Sequence, residues 1–132
     1  MKQPTSAASS TSEELGAADA GRYRSLAVRA SYLAQDRAGI QFAVKELARD
    51  LQSPTLASWE ALKRLWRYLL HRPRAALLLW PQHRVTYADS RVDSDWAGCL
   101  RTRKSTNGGA LTIGCHTIKS WSSTQSVIAL SS

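Results

Sequence analysis

Three aspartates set close together, Asp89, Asp93 and Asp95, are the densest concentration of chemistry in the sequence. On an extended strand residues two apart share a face, so Asp93 and Asp95 point the same way. Carboxylates gathered on one face repel unless a cation or a basic partner stands between them. Hard oxygen ligands of this kind suit Mg²⁺ or Mn²⁺. The plainer reading is a polar turn in which Asp93 and Asp95 hydrogen-bond the local backbone. Downstream, Arg101-Thr102-Arg103-Lys104-Ser105-Thr106-Asn107-Gly108-Gly109 joins three cations to hydroxyls and permissive glycines. Charge and backbone N–H groups would let this stretch hold phosphate. The alternative is a solvated hairpin loop.

Other chemistries find less support. Cys99, Cys115 and His116, with His71 or His83, lack the paired Cys-x-x-Cys or His-x₃-His spacing of a zinc site, and buried cysteines are the ordinary reading. There is no Gly-x-Ser-x-Gly element, no phosphate loop of the Gly-x₄-Gly-Lys-Ser/Thr type, and no serine with an identifiable base. A basic helical stretch carries Trp59, Trp66 and Tyr68 among Lys63, Arg64 and Arg67. It offers charge plus stacking to nucleic acid. Because Trp59 and Trp66 fall on a leucine stripe, the rings read as core and the three cations as facing phosphate.

The elements that must position these residues divide the chain. Residues 1–20 are rich in Ser, Thr and Ala with Leu15 as their one large apolar residue, which predicts a flexible tail. Helical spacing predicts a helix over 23–35 (Leu26, Ala30, Leu33) and another over 38–51 (Ile40, Val44, Leu47, Leu51), whose start Gly39 pushes later. Ser53-Pro54 is a stop. The strongest helix is predicted over 55–70, capped by Thr55 or Ser58 and striped by Trp59, Leu62, Leu65, Trp66 and Leu69. After Pro73 the period changes. The continuous apolar run over 75–80 predicts a buried strand, with short strands over 85–87 and 92–96. Gly108-Gly109 opens a strand over 110–113, Gly114-Cys115 turns, and 116–121 alternates as a partner strand. A further apolar element begins at Val127, Ile128 and Leu130.

Composition bounds what these elements can build. The chain has 132 residues, enough for one small domain or two incomplete ones. Its 43% apolar content argues against disorder throughout. No apolar run reaches the ~18–20 residues of a membrane span. Two cysteines and no signal-peptide-like stretch point to an intracellular protein with reduced thiols. The net charge is +8, and the excess is uneven: 21–80 hold eleven basic and four acidic side chains, 81–132 six and three. An anionic partner is implied, and a membrane partner is not expected.

Several strings taken together resemble a known family. Tyr23-Arg24-Ser25-Leu26, Tyr32-Leu33-Ala34-Gln35-Asp36-Arg37, Ile40-Gln41-Phe42-Ala43-Val44 and Leu62-Lys63-Arg64-Leu65-Trp66-Arg67-Tyr68-Leu69 are similar to the end of the reverse transcriptase of copia-type LTR retrotransposons. Asp93-Ser94-Asp95-Trp96-Ala97-Gly98, then Arg103-Lys104-Ser105-Thr106-Asn107-Gly108-Gly109, then Ile118-Lys119-Ser120-Trp121-Ser122-Ser123-Thr124-Gln125-Ser126-Val127 are similar to the start of that family's ribonuclease H domain. The similarity covers about 21–132, in the family's order.

The resemblance implies a piece of a Pol polyprotein whose parent hydrolyses the RNA strand of an RNA/DNA hybrid, with four carboxylates holding two Mg²⁺ ions. Asp95 matches the first of those carboxylates, as catalytic and metal-binding residue; Asp93 is a neighbour without an assigned role. Arg101, Arg103, Lys104 and Ser105, with Lys63, Arg64 and Arg67, are the expected nucleic-acid contacts. RNA selectivity would come from 2′-hydroxyl contacts across the hybrid's minor groove. The glutamate that follows in the family, the remaining carboxylates and the polymerase palm are missing Pol segments, so the expectation is a fragment inactive alone, with Mg²⁺ not stably held. The alternative is a non-enzymatic basic module that binds nucleic acid or a protein. The expected fold is α+β: a tail over 1–20, a helical region of two or three helices over 21–74, and an incomplete antiparallel ribonuclease H-like sheet over 75–132.

Overall fold

The computed structural model describes residues 13–75, 77–99 and 102–128. In chain order they form α1 (Ala17–Leu33), a 3₁₀ turn (Ala38–Ile40), α2 (Gln41–Ala48), α3 (Leu56–His71), β1 (Ala88–Ser94), β2 (Lys104–Ile113) and β3 (His116–Ile128). This is the α+β arrangement expected, three helices followed by a three-stranded antiparallel sheet. The chain divides into two units, Met1–Ala75 and Ala76–Ser132.

In the helical unit the apolar stripes meet. Tyr23, Ala27 and Ala30 of α1, Ile40, Val44 and Leu47, and Leu62, Leu65 and Leu69 of α3 form one buried cluster. Helical spacing puts each set on one face, and burying those faces drives the packing. Tyr23 is fully buried, and its hydroxyl donates to the Leu47 carbonyl at 2.7 Å, satisfying a phenol that burial would otherwise penalise. Burial, then the Asp50 carboxylate, push its pKa up to about 12, against a hydrogen bond with Ser58. Thr55 caps α3: its Oγ1 accepts from Ser58 N–H at 3.3 Å, and Ser58 Oγ accepts from Thr55 N–H at 2.7 Å. Arg24 donates to the carbonyls of Leu51 (2.7 Å) and Gln52 (3.1 Å), and Arg37 to those of Arg72 (2.9 Å) and Pro73 (2.6 Å).

The flexible tail expected over 1–20 does not hold for residues 13–20, and residues 1–12 lie outside the described residues. Residues 17–20 are the first turn of α1, Ala20 is buried, and Leu15 packs against the core. Leu15 N–H donates to Pro54 O and Leu56 N–H to Glu13 O, so residues 13–15 lie along the segment that caps α3. The alanines at 17, 18 and 20 are strong helix formers, which a search for large apolar residues overlooks.

In the β unit, β2 is central. Val92 faces Gly109 and Gly109 faces Trp121, and the same register brings Asp93 opposite Gly108. Glycine at 109 has a packing reason: a Cβ there would lie 2.6 Å from Trp121 Cε2, so the indole lies across the bare backbone. The turn at Gly114 has φ +59, which favours glycine. Gln82 brackets that turn: Nε2 donates to Ile113 O (3.1 Å), and Oε1 accepts from Cys115 N–H (3.0 Å).

Three strand expectations change. The described part of the run over 75–80 is not a buried strand: Leu77, Leu78, Leu79 and Trp80 are 63–68% exposed and outside the sheet, and residue 76 lies outside the described residues. The short strands over 85–87 and 92–96 are replaced by the single strand β1. β2 begins at Lys104, with Gly108 and Gly109 inside it, and β3 continues to Ile128. Leu130, part of the last expected element, lies outside the described residues.

Candidate functional site

The connection from β1 to β2 holds Asp95. β1 ends at Ser94, so Asp93 and Asp95 do not share a strand face as expected. Asp95 lies one residue past the strand, exposed, and is tied at both ends to Thr106: its N–H donates to Thr106 O (3.1 Å) and its Oδ1 accepts from Thr106 N–H (2.5 Å). Cys99 N–H donates to Lys104 O (3.2 Å), and Arg103 N–H to Cys99 O (2.7 Å). Ala97 (φ 50) and Arg103 (φ 56) both adopt the left-handed conformation, at a cost of about 1–2 kcal/mol each for non-glycine residues. The loop holds them there: Ala97 is buried and its N–H donates to Ser105 Oγ at 3.0 Å.

Gly98 is the residue sequence reading missed. A Cβ at Gly98 would lie 2.6 Å from Asp95 Cγ and nearer still to Oδ2. The carboxylate occupies the space a side chain would fill. The signal was present in the spacing Asp95-Trp96-Ala97-Gly98, a carboxylate three residues ahead of a glycine, but nothing local says that the carboxylate folds back.

The three aspartates are not gathered. Asp89 pairs with Arg91 (3.2 Å), Asp93 accepts from the N–H of Ser94 (2.8 Å), and Asp95 is engaged with Thr106. Asp93 accepts from the adjacent backbone, as in the polar-turn reading, but from within β1, whereas Asp95 reaches a backbone amide eleven residues on. Among the described residues no group of three or more His, Cys, Asp or Glu side chains could hold a metal ion. Cys115 Sγ lies 3.2 Å from Gln82 Oε1 and within 3.8 Å of both ring nitrogens of His116.

The expected nucleic-acid contacts separate by unit. Arg103 is exposed beside Asp95's loop, Lys104 opens β2 half-buried, and Arg101 lies outside the described residues. Ser105 is a correction: its side chain is 2% exposed and its hydroxyl accepts from Ala97 N–H, so burial gives it a positioning role in the loop. On α3, Arg64 and Arg67 are exposed one turn apart, while Lys63 is held by Glu60 at 2.7 Å. That hydrogen bond, with the nearby cations, holds the Glu60 carboxyl below the usual range. Trp59 and Trp66 pack against the core, as their place on the leucine stripe implied.

Comparison with known proteins places the chain. It is 36% identical over 104 residues, 79% of its length, to an uncharacterized mitochondrial protein of Arabidopsis thaliana. It is also 36% identical over 105 residues, 80% of its length, to the retrovirus-related Pol polyproteins from transposons RE2 and RE1 of the same plant. The chain is related to retrotransposon Pol polyproteins. It spans 42% of the length of the mitochondrial protein and 7% of each Pol polyprotein. No family model and no solved structure matches it. No helix among the described residues is long and apolar enough to cross a membrane.

The two Mg²⁺ ions implied by the resemblance do not fit these residues. A pair of such ions needs several converging carboxylates. Here Asp95 stands with one oxygen on a backbone amide, and Asp89 and Asp93 are turned to partners of their own.

Proposed function

We propose that this chain corresponds to the junction of reverse transcriptase and ribonuclease H in a copia-type Pol polyprotein. The helical unit is then the tail of the polymerase and the β unit the opening hairpins of the nuclease. The observation that carries the reading is the ordered set of strings from Tyr23 to Val127, beside the 36% identity over 105 residues to the Pol polyproteins from transposons RE2 and RE1. The three-stranded antiparallel meander with Asp95 directly after its first strand supports it. In the parent protein Asp95 would be the first carboxylate of an Mg²⁺-dependent nuclease acting on RNA/DNA hybrid, and Arg101, Arg103 and Lys104, close to it in sequence, would be contacts to the hybrid.

A polypeptide of these 132 residues does not cleave hybrid on this reading, because its described carboxylates do not converge. A labelled RNA/DNA hybrid incubated with the purified chain and Mg²⁺ tests this. The expected result is intact RNA; cleavage lost in Asp95→Asn would overturn it. A second reading, a non-enzymatic basic module, is favoured by the exposed Arg64 and Arg67 on α3. Phosphate-driven binding would weaken steeply with salt, and absence of binding at low salt would remove this reading.

A further inference from the structure

A groove of about 240 Å³ lies along α1 and α3 in the helical unit, and its apolar wall has no part in the readings above. Its wall is apolar: Leu26 of α1 with Trp59, Leu62, Trp66 and Leu70 of α3, and Lys63 and Arg67 stand on the same groove. One observation distinguishes it from an ordinary crevice: Leu70, on its wall, is 77% exposed, an aliphatic side chain set in water. Trp59 and Leu70 are eleven residues apart, roughly 16 Å along a helix, so the wall is as long as about three helical turns.

Charge selects the occupant. α3 carries Lys63, Arg64 and Arg67 against a single acid, Glu60, which is committed to Lys63. A wholly apolar partner would leave these cations unmatched. A nucleic acid would match them but set phosphates against aliphatic carbon. We propose that the groove docks an amphipathic helix with acidic flanks. Its apolar side chains at i, i+4 and i+7 lie along Trp59, Leu62, Trp66 and Leu70, and its carboxylates meet Arg67 and Arg64.

The test is fluorescence anisotropy with the full chain and three dye-labelled probes: a 15-residue helical peptide of leucines flanked by glutamates, the same peptide with lysines in place of the glutamates, and a 15-mer oligothymidylate. The glutamate peptide binds saturably. Leu70→Glu and Arg67→Glu, both at exposed positions, each weaken it at least tenfold with an unchanged circular dichroism spectrum and melting midpoint. Arg67→Glu also improves binding of the lysine peptide. The proposal is overturned if no peptide binds saturably, if both peptides bind alike, or if the two variants bind as the parent does. It is equally overturned if oligothymidylate displaces the glutamate peptide, or if sedimentation shows a dimer that Leu70→Glu dissolves, which would make a second copy the occupant.

Discussion

Replacing Gly98 by alanine tests the account of the Asp95 loop, because its effect should change sign with the residue at 95. Gly98 is not in the left-handed region, so an alanine backbone fits, and the unfolded chain loses freedom; alone this stabilises by about 0.5 kcal/mol. Against it stands the carboxylate. The new Cβ would lie 2.6 Å from Asp95 Cγ, so the side chain must rotate away and release Thr106 N–H. A hydrogen bond to a charged group is worth roughly 1.5–3 kcal/mol; Asp95 is exposed, so water recovers part, and about 1.5 kcal/mol is the reasonable loss.

The balance is a net destabilisation of about 1 kcal/mol for Gly98→Ala in the parent chain. In an Asp95→Ala background there is no carboxylate to displace, and the same substitution should stabilise by about 0.5 kcal/mol. The coupling between the two sites is then about 1.5 kcal/mol, well above the ~0.3–0.5 kcal/mol expected of independent sites. Urea unfolding of the four proteins, followed on the β2 amide signals by NMR, measures it, with Thr106 amide exchange reporting the hydrogen bond itself. Equal effects of Gly98→Ala in both backgrounds would refute the reasoning.

Three further outcomes are expected. Tyr23 has a folded pKa raised to about 12 from an unfolded value near 10, so its share of stability is complete below pH 10 and is lost as pH climbs to 12, up to roughly 2–3 kcal/mol; alkaline unfolding should lose that component in Tyr23→Phe, and an unchanged profile would count against it. Thr55→Ala removes the α3 capping box and should cost about 1 kcal/mol in helix-unit stability by circular dichroism; no loss would show that residues 13–15 alone hold the helix start. Gly109→Ala drives a Cβ into the Trp121 ring, should cost roughly 1–3 kcal/mol, and should shift indole emission to the red; an unshifted spectrum would mean the ring does not lie over Gly109.

The helical unit was legible because its signals are local and repeated. Ile40, Val44 and Leu47 recur at helical spacing, Thr55 precedes a stripe, and Ser53-Pro54 forbids continuation, so three helices follow, with the start of α1 missed by six residues because its first turn is built on alanines. The β unit was less so because strand identity is decided by a partner across the sheet. Ala88-Asp89-Ser90-Arg91 reads as a polar connection, yet it is β1, because its backbone pairs with Leu111, Thr112 and their neighbours. The run Leu77-Leu78-Leu79-Trp80 has every compositional mark of a strand, yet no strand among the described residues pairs with it. The site was legible in its residues and not in its geometry. Asp95 stands out in sequence, whereas its fold-back against Gly98 and the burial of Ser105 depend on contacts across a loop of nine residues.

The basic excess needs the same discrimination, since a cation counted in the composition is not thereby available to a partner. Arg24 and Arg37 rank with the others in a charge count, yet their guanidinium groups pin the carbonyls of Leu51, Gln52, Arg72 and Pro73 and so close the ends of the helical unit. Lys45 and Arg49 both lie on Glu46, and Lys63 on Glu60. Each of these cations holds the protein to itself, and truncating it would register first as lost stability. Arg64 and Arg67 differ in standing exposed on a helix whose single acid is already engaged. Arg64 and Arg67 are thus among the exposed cations that a partner can meet, and the apolar wall beside Arg67 decides whether charge alone is enough to describe that partner.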